Sequence, residues 1–142
     1  MTEKTRIYMA HPRHARWFIN LLVDHLGKRF PNLEFINPFA ENLENRKLWL
    51  ETQDNGYAKF IMYTDLELID SAHLLLAYWP YAFAATPMEI FYSSHIKDKK
   101  TAVITSSKPK HPWITAMDIT KIITDNQLIK FLAEINDGGV DE

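Results

Sequence analysis

Asp65 and Glu89 are the residues of this chain whose surroundings most invite chemistry. Residues 63–93, YTDLELIDSAHLLLAYWPYAFAATPMEIFYS, read as a helix, a continuous apolar strand, a turn and a second helix. Each helix carries one carboxylate that needs an explanation. On a helical wheel Ile61, Met62, Leu66, Leu68 and Ile69 share one broad arc, and Asp65 falls near its middle. An Asp on a buried stripe is costly unless it is paired or hydrogen-bonded. Either it bonds a nearby backbone amide or an Arg, or the stripe faces a pocket at this point. Glu89 follows Thr86-Pro87-Met88, which fits a capping box with Thr at the N-cap and Pro at the first helical position. The same place suits a nucleophile, because a helix N-terminus favours the ionised carboxylate. A Glu turned back onto the N-cap amide cannot also face a substrate, and the sequence leaves both readings open. Two carboxylates gathered at the end of a buried strand are the raw material of glycosidic-bond chemistry.

Other side chains could bind rather than react. His11, Arg13, His14 and Arg16 follow the first apolar run and enter a helix, a place suited to an anion or simply to a solvated basic cluster. Tyr78, Trp79, Tyr81 and Phe83 could wall a base or could be packing. His111 and Trp113 could bond or stack a base, and Trp113 equally suits a core or an interface. The six His show no metal-ligand spacing, so no metal is expected.

The elements that must position these groups can be read from apolar patterning. The chain has 142 residues, a net charge of −2 and no cysteine. That balance gives no sign of a nucleic-acid polymer as partner, and it excludes disulfides and thiolate chemistry. Hydrophobic residues at 46% and charged residues at 24% fit a soluble globular domain. No apolar run approaches a membrane span and no secretory leader is visible, so a cytoplasmic protein is expected. Residues 1–135 are expected to form one domain, and residues 136–142 a frayed acidic tail.

Short apolar runs at 5–10, 33–36, 73–79 and 100–105 predict strands, with a further edge strand at 119–123. Helices are predicted at 14–29, 57–70, 86–96 and 125–135, and residues 39–54 are left partly helical. Phe18, Leu21, Leu22, His25 and Leu26 are expected to form the buried face of the first helix. The run HLLLAYW does not alternate, which is how a central parallel strand buried on both faces reads. Strands alternating with helices predict an α/β three-layer sandwich, a mostly parallel sheet of about five strands with helices on both faces. Ligands then bind outside the carboxyl ends of the strands, where the loops 10–13, 79–85 and 105–113 emerge.

With these residues in place the chain resembles the nucleoside 2-deoxyribosyltransferase family, together with the related nucleoside 5′-monophosphate N-glycosidases. The resemblance spans nearly the whole chain: IYMAHP, INPF, D-x-x-x-I-x-x-A before the apolar strand, A-T-P-M-E-I, KKTAVIT and the HPW loop. It implies a flavodoxin-like sheet and cleavage of the N-glycosidic bond of a 2′-deoxyribonucleoside. The deoxyribosyl group then passes to another base, or to water, through a covalent glycosyl-Glu intermediate. The resemblance places the nucleophile at Glu89, leaving-group assistance at Asp65 and an orienting phenol at Tyr8. His11, Arg13, Phe83, Thr86, Met88, His111 and Trp113 become substrate-binding candidates. It further implies no cofactor, a small nucleoside or nucleotide substrate, and a homodimer or higher homo-oligomer that completes the site from a neighbouring subunit. The chain departs from the family at Ala85, where Gly is usual, at Phe83, where Ser or Asp is usual, and at His73, where Asp is usual.

Overall fold

Five parallel strands form the centre of the protein, in a computed structural model that describes residues 3–79, 86–105 and 117–138. The strands are β1 (Thr5–Ala10), β2 (Leu33–Ile36), β3 (Leu74–Tyr78), β4 (Lys100–Ile104) and β5 (Thr120–Ile122). Their order is β2-β1-β3-β4-β5, the flavodoxin-like order. Registers such as Tyr8 against Leu75 and Leu76 against Ala102 align the three central strands. β3 is central because it can be: Leu74, Leu75, Leu76 and Ala77 have no exposed surface, so the strand needs cover on both faces. The chain changes direction across the sheet between β1 and β3, and a switch point of this kind opens a crevice at the strands' carboxyl ends.

Helices cover both faces: α1 (Arg16–Arg29), α2 (Pro38–Glu41), α3 (Leu43–Thr52), α4 (Asn55–Ser71), α5 (Thr86–Phe91) and α6 (Asp125–Gly138). Strand alternation separates two cores. Ile7, Met9, Leu74 and Leu76 pack with α1 and α6 through Ile19, Leu26, Leu128 and Leu132. Tyr8, Ala10, Leu75 and Ala77 pack with α4 and α5 through Ile69 and Ile90. Each fully buried Leu or Ile contributes roughly 1.5–3 kcal/mol by leaving water.

Several sequence expectations are corrected in detail. The stretch 39–54, expected to be partly helical with its ends unplaced, forms two helices, α2 and α3. Asn37 starts α2 by accepting from the Phe39 amide at 3.0 Å, with Pro38 at the first helical position. Gln53 ends α3 in the left-handed region, and Asp54 caps α4 by accepting from the Gly56 amide at 2.7 Å. The buried face of α1 is Ile19 and Leu26 with half-buried Leu22 and Val23; Phe18, Leu21 and His25 are exposed. Both choices have helical spacing, and the sheet beneath selects the one centred on Ile19. The third sequence helix is shorter, with the α-turns of α5 giving way to a π-helical turn at Tyr92–Ile96. The last helix runs on to Gly138, anchored where Asn32 and Asn136 bond twice at 3.1 Å. No helix among the described residues is long and apolar enough to cross a membrane.

The carboxyl end of α4 matters because α4 carries Asp65. Its last carbonyls lack helical partners. The Lys99 ammonium supplies them, donating to the carbonyls of Ile69, Asp70 and Ala72 at 2.9, 2.6 and 2.5 Å. A cation at a helix C-terminus also meets the dipole favourably. Lys99→Met is expected to cost about 1–3 kcal/mol of stability, measured by urea unfolding. An unchanged midpoint would show that this cap holds nothing.

Candidate active site

Four elements bring five polar side chains together beside the carboxyl end of β1. Tyr8 comes from β1 and has no exposed surface. Its phenol donates a short hydrogen bond to Glu89 Oε2, from the first turn of α5. Asp65 comes from α4 and is held by α3: Arg46 Nη2 lies 2.7 Å from Asp65 Oδ2, and Asn42 Nδ2 donates to Asp65 Oδ1 at 3.3 Å. Asn42, the N-cap of α3, and Arg46 are four residues apart, so the start of α3 presents both on one side. The guanidinium also lies 4.2 Å over the Phe39 ring.

The alternatives at Asp65 therefore converge, since the Asp is paired with an Arg and also belongs to this cluster. At Glu89 the capping box is not formed. Thr86 is already helical, its hydroxyl is buried without a hydrogen-bond partner among the described residues, and the Glu89 carboxyl is bonded to Tyr8.

Burial decides the electrostatics. It raises the Glu89 carboxyl to about 8; the Tyr8 hydrogen bond and the Arg46 charge oppose the rise, and the Asp65 charge adds to it. This corrects the expectation that the helix N-terminus keeps Glu89 ionised, because desolvation outweighs a dipole that six residues of helix can supply. Asp65 is also raised, by burial first, with Arg46 and Asn42 pulling it back. Tyr8 is raised well above the ordinary phenol value, by burial first and then by Glu89 and Asp65, so its proton stays on as a donor.

His11 is buried and its Nδ1 bonds the Met9 carbonyl at 2.7 Å. Burial lowers it to about 4, so it is a neutral ring at neutral pH and lends an anion no charge. Its Nε2 is buried without a partner among the described residues. Arg13 is exposed in a 3-10 turn at Arg13–Ala15, Thr86 is buried, and Met88 is 71% exposed. Phe83, His111 and Trp113, with Ala85, lie outside the described residues. Arg46 and Asn42 were missed from the sequence because residues 39–54 show no apolar stripe. Their spacing of four, upstream of an Asp that needs a partner, was the signal available. No cluster of three His, Cys, Asp or Glu among the described residues could hold a metal ion.

No protein-family model matches the chain. No curated protein matches it either. Solved structures do. A 2-deoxyribosyltransferase from the psychrotolerant bacterium Bacillus psychrosaccharolyticus superposes with a TM-score of 0.69 over 87% of this chain and 90% of its own, at 16% identity. The CMP N-glycosidase BcmB of Clostridium botulinum superposes with a TM-score of 0.53 over 93% of this chain and 99% of its own, also at 16% identity. Both are proteins of the kind that the sequence resemblance names, and they show that the fold is flavodoxin-like α/β.

The raised Glu89 value has a consequence for stability. The folded value of about 8 lies above the ordinary 4.5, so the fold prefers the protonated form. The stability this gives is fully present below 4.5 and is lost as pH rises through about 8. Glu89→Gln keeps an uncharged side chain of the same shape. Its melting temperature is expected to gain on the wild type as pH rises from about 5 to about 9. A difference constant with pH would remove burial as the cause.

Proposed function

We propose that this protein cleaves the N-glycosidic bond of 2′-deoxyribonucleosides and transfers the deoxyribosyl group to another base. The observation that carries this is the hydrogen bond from buried Tyr8 to half-buried Glu89, beside the Arg46–Asp65 pair at the switch point of the sheet. Ionised Glu89 attacks the anomeric carbon; the bond to the base nitrogen breaks with its electron pair, and the base leaves through an oxocarbenium-like transition state. Tyr8 holds the Glu89 carboxyl in line. Asp65, whose proton affinity burial raises, assists transfer of a proton to the departing base. An acceptor base then attacks the same carbon and the Glu89 carboxylate is released. His11, Arg13, Thr86, Met88, Phe83, His111 and Trp113 remain the candidates for holding the substrate, and the reaction needs no cofactor.

A second reading is hydrolysis of deoxyribonucleoside 5′-monophosphates, with water as the acceptor. The likeness to a CMP N-glycosidase along nearly the whole of both chains favours it. In either reading the working unit is a homo-oligomer. Trp17 and Leu21, 66% and 60% exposed on one side of α1, offer an apolar surface that a second copy would cover.

Free base released from deoxynucleosides and deoxynucleotides, with and without an acceptor base, tests both. Release is expected from the wild type and to be absent in Glu89→Ala. Exchange without net release identifies transfer, and release without an acceptor identifies hydrolysis. A wild type silent on all of them, or an active Glu89→Ala, would defeat the proposal.

The pH profile gives a second check. Since only ionised Glu89 attacks, kcat/KM is expected to rise with pH up to about 8. Tyr8→Phe removes a bond that favours the anion, so the rise should move to higher pH. A profile unmoved by Tyr8→Phe would remove the phenol's role.

A further inference from the structure

Arg46 belongs to two places at once. One face of its guanidinium holds Asp65, while the side chain also lines a cavity of about 500 Å³ between α1, α3 and α4. Neither Tyr8, Asp65 nor Glu89 lines that cavity. It is large enough for a small-molecule ligand, since such sites span about 300–1,000 Å³.

Its chemistry is one-sided. Arg13, Arg16, Arg46 and Lys47 border it, and no Asp or Glu among the described residues does. Phe39 and Trp49 add aromatic surface. The Arg46 Nε is buried and has no hydrogen-bond partner among the described residues. A buried donor left unmet is costly. Apolar walls strengthen the attraction of the four cations for an anion, because the local dielectric is lower than that of water. Arginine forks suit a carboxylate or phosphate in particular.

Position relative to Glu89 decides which part of a substrate reaches it. In the reading above the base lies at Asp65, and Arg46, 2.7 Å from that carboxylate, is the side chain that Asp65 and the cavity share. We propose that the cavity receives an anionic group carried by the base, so that the preferred leaving or accepting bases are acidic heterocycles such as pyrimidine carboxylates. This rests on the N-glycosyl reading above and extends it to substrate class. A 5′-phosphate presents the same charge from the opposite end of the nucleoside, and the test separates the two sources.

Base release is compared for 2′-deoxyuridine, 5-carboxy-2′-deoxyuridine and 2′-deoxyuridine 5′-monophosphate. For the wild type, kcat/KM for the carboxylated base is expected to exceed that for 2′-deoxyuridine by about tenfold or more. The ratio is expected to fall toward one in Arg16→Gln/Lys47→Gln, with a melting curve showing that the variant is folded. A wild-type ratio of one or less overturns the proposal. So does a preference for the 5′-phosphate that the same double variant abolishes, because the cations would then serve the sugar end. If no substrate turns over, the N-glycosyl reading has failed separately, and calorimetry with free bases decides the cavity. Tighter binding of 5-carboxyuracil or its 6-carboxy isomer than of uracil, lost in the double variant, upholds the anion site; equal binding overturns it.

Discussion

The hydrogen bond from the Tyr8 phenol to the Glu89 carboxyl is the contact on which the site depends. It joins a strand residue with no exposed surface to the first turn of a short helix, across 81 residues of sequence. A carboxyl in such a place is driven toward its neutral form by desolvation, and the phenol opposes that by favouring the anion. The balance leaves a group that titrates at about 8 and so can be summoned to ionise near neutral pH. For the proposed attack, a freely solvated Glu would be ionised throughout but a weaker nucleophile, and a deeper one would stay neutral.

The α3–α4 hairpin performs the companion task for Asp65. Gln53 and Asp54 turn the chain sharply between the two helices, and Asn42 and Arg46 then lie against Asp65. A half-buried Asp pulled one way by desolvation and the other by an Arg keeps a raised but usable proton affinity. The Arg46 charge also reaches Glu89 and His11, lowering both, so one guanidinium influences every shifted group around Glu89. Lys99 closes the far end of α4 and thereby fixes the helix that presents Asp65.

Much of the fold was legible because apolar runs without alternation have few places to go. HLLLAYW could only be a strand covered on both faces, and β3 is that strand. The face of α1 was not legible, since Phe18 and Leu21 compete with Ile19 and Val23 at equally good helical spacing. Only the folded sheet separates them: Ile19 packs into the core with β1 and β3, while Phe18 stays exposed with its ring 5.2 Å from that of Tyr78. Within the site, Asp65 declared itself by being polar on an apolar arc. Glu89 did not, because its local sequence reads as a cap, and the resemblance of A-T-P-M-E-I to a known family marked it instead. Its partner Tyr8 and its raised proton affinity arise from burial and long-range contact, to which local pattern is blind. Arg46 lay in a stretch without periodicity, and its role appears only once two helices are folded together.

A covalent bond to Glu89 is the central claim, and intact-protein mass spectrometry tests it directly. The protein is mixed with a deoxynucleoside at about pH 8, where roughly half of Glu89 is ionised, and quenched in acid. The expected result is a species heavier by one deoxyribosyl group, with the added mass on the peptide that contains Glu89. Turnover without any adduct, or an adduct on a different residue, would contradict the account.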